Sequence, residues 1–182
     1  MPPMPKTFAA LRMLRYPILF AALVFLAGAV LGTQLTDLPD GMLEPLFELV
    51  RQLRGKSWAT LAVVLFCKNA LAALVAILGG FLLGLLPFAA AFTNGMVLGR
   101  VAALQPGSVW LLLPHGVFEI TAVTIAWGTG LWCGGWLFHP PRGERLRQRA
   151  VTSLQLYGKL VLPLLAVAAA IEAAGIELLT TP

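Results

Sequence analysis

The sequence predicts an all-α integral membrane bundle of about five transmembrane spans, with a short amphipathic helix lying on the membrane surface after the first. Three observations predict it. Of the 182 residues, 59% are hydrophobic and 12% are charged, whereas soluble domains carry roughly 25% charged residues. The mean hydropathy is +0.85, and no polar stretch is long enough to build a soluble domain. The apolar runs are long, and the basic residues gather in the segments between them. The net charge of +5 is therefore expected to serve membrane anchoring and orientation, and no nucleic-acid partner is expected.

A hydrocarbon core about 30 Å thick needs roughly 20 apolar residues per helix. The first span, residues 17–35, follows the leader MPPMPKTFAALRMLRY. Leader and span together resemble a signal peptide, but the apolar run is long for one, so an uncleaved anchor is expected. Met42, Leu43, Leu46, Phe47, Val50 and Leu53 then recur at helical spacing after Asp40, an N-cap residue type. They predict a surface helix over residues 41–54. From Trp58 to Leu104 the chain is almost unbroken apolar. As one helix it would run about 70 Å, so it must fold back once. The breakers in GGFLLGLLP place the turn near residues 84–87, giving spans at 58–83 and 87–104. QPGS ends the third span, the fourth covers 109–138, and HPPRGERLRQR lies outside the bilayer, where its arginines meet anionic headgroups. The fifth span covers 156–178. All of this forms one domain over residues 1–182.

Charge orients the array. Lys6, Arg12 and Arg15 precede the first span, and Arg142, Arg145, Arg147 and Arg149 precede the fifth. Five spans put both groups on one side, which the positive-inside rule assigns to the cytoplasm, with the C-terminus outside. The expected location is the inner (cytoplasmic) membrane. Four small-xxx-small pairs, Gly28/Gly32, Gly80/Gly84, Gly95/Gly99 and Gly130/Gly134, are expected to let helices approach closely within the bundle or at a dimer contact, so a homo-oligomer is possible. Cys67 and Cys133 sit in apolar runs and are expected as core thiols rather than a disulfide.

The polar residues inside the spans are few: Lys68, Asn69, Asn94, Arg100, His115, Glu119 and Glu172. A charge at the bilayer centre costs at least a few kcal/mol, so each needs a partner or a wet cavity. Counted from the nearer span ends, Lys68 and Asn94 lie about 15 Å deep, His115 about 10 Å, Glu119 about 16 Å and Glu172 about 9 Å. Four spans thus send polar groups to one layer. One reading makes that layer structural, a set of ion pairs and hydrogen bonds that fix helix register. The other makes it a cavity open to the outside, able to hold a proton, an ion or a peptide group. A metal site is a weaker reading. His115, Glu119 and Glu172 offer three ligands, but HxxxE alone is a loose pattern. Pro114 is placed near the first turn of its span, where a missing amide is tolerated. Gly116 leaves room for a neighbouring helix.

The series Asn94-Gly95-Met96-Val97-Leu98-Gly99, then Leu113-Pro114-His115-Gly116-Val117-Phe118-Glu119, then Ala169-Ala170-Ile171-Glu172-Ala173 resembles the stage II sporulation protein M family, in that family's order. The resemblance implies a bacterial or archaeal inner-membrane protein of five or six spans, with no cofactor and no established catalytic activity. It nominates Asn94, His115, Glu119 and Glu172 as shared polar positions. In spore formers the named member scaffolds cell-wall hydrolases during engulfment. This chain has no hydrolase domain and only a short outer loop. The expectation is therefore a non-enzymatic scaffold that organises membrane or cell-envelope proteins. A small oligomeric transporter, coupled to protons or ions through the polar layer, is the alternative.

Overall fold

The computed structural model describes residues 7–35, 48, 51, 55–104 and 109–180, and among these there are helices and turns but no strand. The helices are α1 (Thr7–Gln34), α2 (Trp58–Gly79), α3 (Leu85–Leu104), α4 (Val109–Gly134), α5 (Arg142–Leu156) and α6 (Leu162–Thr180). A 3-10 turn (Gly135–Phe138) follows α4, and one π-helical turn (Tyr157–Val161) joins α5 to α6. The expected surface helix lies outside the described residues, except for Glu48 and Arg51. Both are helical and form an ion pair at 3.5 Å.

Among the described residues, four helical stretches are long and apolar enough to cross a membrane: Thr7–Gln34, Trp58–Gly79, Leu85–Leu104 and Arg142–Glu177. With them the chain is a multi-pass membrane protein. The 26-residue α4 is long and no less apolar than α1 or α3, although Glu119, Thr121, Thr124 and Thr129 lie on it. It packs against α1, α2, α3 and α6, so much of its surface faces protein rather than lipid, and Thr129 is fully buried with its hydroxyl on the Ile125 carbonyl at 2.7 Å.

The glycine pairs find each other. A Cβ on Gly28 or Gly32 would strike the backbone of Phe92 or Met96, and one on Gly95 or Gly99 would strike Phe25 or Ala29. The contacts climb together along both chains, so α1 and α3 run parallel, with the two pairs interlocked. The second lock joins Gly80 to Gly130 and Gly84 to Gly134 across α2 and α4. All four pairs are thus used inside one chain, where small residues let backbones touch.

Several boundaries differ from the sequence expectation. The fold-back is a turn over residues 80–84, with Leu83 at φ 60° and Gly84 at φ 75°. Pro87 falls in the first turn of α3, where it needs no hydrogen bond. Pro114 is the sixth residue of α4, beyond the first turn where it was expected. The basic stretch is not a loop. It is α5, and with the π turn and α6 it makes about 58 Å of unbroken helix, nearly twice the hydrocarbon core. The π turn lies just before Pro163, whose missing amide leaves a carbonyl in that stretch without its usual donor.

Arg149 does not reach for headgroups either. It is 8% exposed, donates through Nη1 to the Trp132 carbonyl, and lies 4.9 Å from the centre of the Trp132 ring. A guanidinium there satisfies one of the carbonyls left unpaired at the end of α4 and complements the negative end of its dipole. Ser153 accompanies Arg149, donating to its carbonyl at 2.6 Å and meeting the Cys133 sulfur at 2.9 Å. Cys133 is buried as expected, but Cys67 is exposed on α2; both are free thiols. Leu14 and Leu156 share a small core cluster, so the start of α1 and the end of α5 lie at one end of the bundle, and their arginines with them.

Candidate functional site

Toward the other end, α1, α2, α3, α4 and α6 leave a cleft of about 860 Å³ between them. Its polar lining is Lys68, Asn69, Asn94, Glu119 and Glu172, with the hydroxyls of Thr33 and Thr121. Five of the seven residues singled out in the sequence therefore meet in one cavity. Arg100, half-buried on α3, is not among the lining residues. His115 is helical in α4, but its side chain lies outside the described part of the structure.

Helix position brings the five together. Lys68 and Asn69 are the eleventh and twelfth of 22 residues in α2, Asn94 the tenth of 20 in α3, Glu119 the eleventh of 26 in α4, and Glu172 the eleventh of 19 in α6. Each thus sits within about three residues of its helix midpoint, some 4 Å along the axis. Where helices pack side by side, midpoints meet. The layer predicted from depth is the middle of the bundle.

Several of these groups are already engaged. Asn69 donates from Nδ2 to Oε1 of Glu119 at 3.0 Å, joining α2 to α4. Asn94 turns its amide back onto the Ala90 carbonyl at 2.8 Å. Thr33 donates to Val30 at 2.8 Å and Thr121 to Val117 at 2.6 Å, both within their own helices. Lys68 lies close enough to Glu172 for the two to attract.

The walls are apolar and mostly small. Phe25 and Trp127 stack with ring centres 5.7 Å apart, and both line the cleft. Gly116 departs from the sequence expectation: among the described residues, a Cβ there would meet only the end of Ile120, at 3.9 Å. The room it leaves opens into the cleft instead of accepting a helix of this bundle.

Neither Thr33, Thr121 nor Trp127 was singled out in the sequence. A threonine bonded to its own helix costs little in a membrane, so only its side of the helix could have marked it. For metal binding, Glu119 and Glu172 both line the cleft. Among the described residues no three His, Cys, Asp or Glu side chains come together to hold an ion.

The model of the stage II sporulation protein M family matches residues 18–174 of the chain. No curated protein and no solved structure matches it.

Proposed function

The chain belongs to the stage II sporulation protein M family, and we propose that this member is a non-enzymatic scaffold of the inner membrane that holds a membrane or cell-envelope partner in its cleft. One observation carries the reading. A cavity of about 860 Å³, with polar groups at mid-helix and apolar walls, lies toward the end of the bundle away from the arginines. That volume is in the range of specific binding sites.

The same chemistry fits a small carrier, and the attraction between Lys68 and Glu172 is the feature that favours one. Transport requires the other end to open as well. There Gly80 and Gly84 lie backbone to backbone with Gly130 and Gly134, and Arg149 pins α5 to the end of α4. Separating these contacts opens a packed helix contact and exposes a buried cation, so this end is expected to stay closed.

The test is a photocrosslinking amino acid at Val97, which lines the cleft, or at Val63, which is 60% exposed on the outer face of α2. In native membranes the Val97 position is expected to yield a discrete protein adduct that Glu119→Gln diminishes, and the Val63 position mainly lipid adducts. Proton- or cation-driven flux in proteoliposomes, abolished by Glu119→Gln without loss of folded protein, would establish the carrier instead.

A further inference from the structure

We infer that the cleft is built to receive a membrane-spanning helix of a partner protein, one carrying a hydrogen-bonding side chain near its own midpoint. This deepens the scaffold reading and rests on it.

The first argument is shape. On α3 the lining runs from Ala90 to Ala102, and on α4 from Gly116 to Trp127. Each stretch is about 17 Å along the helix axis. On α1 the lining residues Phe25, Ala29 and Thr33 recur every fourth position. The cavity is thus a trough parallel to the helices, walled by helix faces. Such a trough matches a rod of helical diameter better than a compact solute.

The second argument is side-chain size. Ala29, Ala72, Ala90, Ala102 and Gly116 line the trough. In membranes, helices associate where small residues let backbones approach. The bundle's other close contacts, at Gly28, Gly95, Gly80 and Gly130, are filled by helices of this chain, whereas among the described residues only the end of Ile120 reaches the room at Gly116.

The third argument is depth. The polar lining lies at the helix midpoints, in the hydrocarbon core, not at an interface. A phospholipid placed in the trough would set its headgroup a half-bilayer away from Lys68, Asn69 and Asn94. A spanning helix can bring a polar side chain to that level, and a polar group in hydrocarbon gains from finding a partner there. Because Glu119 already accepts from Asn69 and Lys68 attracts Glu172, the best match is a neutral side chain such as Asn or Gln, which can both donate and accept.

The experiment uses the full-length protein in phosphatidylcholine–phosphatidylglycerol vesicles, with a donor fluorophore on a C-terminal tag. The probes are two acceptor-labelled spanning peptides of Leu and Ala, one with a single central Asn and one without, both at high lipid dilution to suppress self-association. The Asn peptide is expected to associate about threefold more strongly than its twin, the size of one average interhelical hydrogen bond. Val97→Trp, which fills the trough, is expected to remove the difference, and Ala102→Leu provides a second, milder block should Val97→Trp fold poorly. Equal association of the two peptides, or a preference that survives both blocks, overturns the inference. If Val97 still crosslinks to a protein in native membranes, the scaffold reading outlives that result; if it yields only lipid adducts, the reading itself has failed.

Discussion

The hydrogen bond between Asn69 and Glu119 offers the sharpest test of the cleft. It joins α2 and α4 at mid-helix with a separation of 3.0 Å. Interhelical hydrogen bonds in membranes average about 0.6 kcal/mol in double-mutant cycles and reach about 1.7 kcal/mol. A carboxylate acceptor roughly doubles a neutral bond, which places this one near 1.2 kcal/mol, or about eightfold in an equilibrium constant. The cycle comprises wild type, Asn69→Leu, Glu119→Leu and the double variant, each unfolded by dodecyl sulfate titration in mixed micelles. Glu119 has interactions beyond Asn69, so its single substitution is expected to cost more than the coupling term, and the cycle removes that excess. The single Asn69→Leu variant leaves a carboxylate short of one donor and should also lose stability. The double variant should lose less than the sum of the two, by about 1.2 kcal/mol. A coupling below about 0.3 kcal/mol, the scatter expected of independent sites, would show that the two side chains do not meet and would remove the link on which the geometry of the cleft depends.

Three further outcomes follow from the packing. Gly99→Val forces α1 and α3 apart against the Ala29 backbone and is expected to cost about 1–3 kcal/mol in the same assay, whereas Gly175→Val, which meets nothing within 4 Å, should change little; equal effects would refute the interlock. Arg149→Met leaves the Trp132 carbonyl without its donor, and a loss of about 1–3 kcal/mol is expected, against less than about 0.5 kcal/mol for the exposed Arg147→Met. In folded protein a maleimide should modify Cys67 well before Cys133, which is fully buried beside Ser153; mass spectrometry of partly labelled protein reads the order, and the reverse order would contradict the placement of α4 against α5.

Much of the cleft was legible in the sequence because hydrocarbon makes polarity conspicuous. Lys68, Asn94, Glu119 and Glu172 stand out in apolar runs, and the count from each span end already put them in one layer. What the count could not supply was the neighbour. The spacing of Gly28 and Gly32 announces a close contact but is identical to that of Gly130 and Gly134, so nothing in it says that the first pair meets α3 and the second meets the turn after α2. Arg149 shows a related limit. In the string RGERLRQR it resembles its neighbours, and only the helix that carries the string turns this one arginine inward onto Trp132. Arg100 stood out by the same logic as the four cleft residues, yet its place on α3 keeps it off the lining, since depth does not reveal which side of a helix faces inward.

The parallel lock between α1 and α3 has a consequence for how the cleft meets an occupant. Gly99 and Ala29 touch through their backbones, and both also line the trough. The wall is therefore set when the two helices pack, before anything enters, and the entropy of arranging it belongs to folding rather than to recognition. An occupant meets a finished mould, which favours slow release of one well-matched shape over loose acceptance of many.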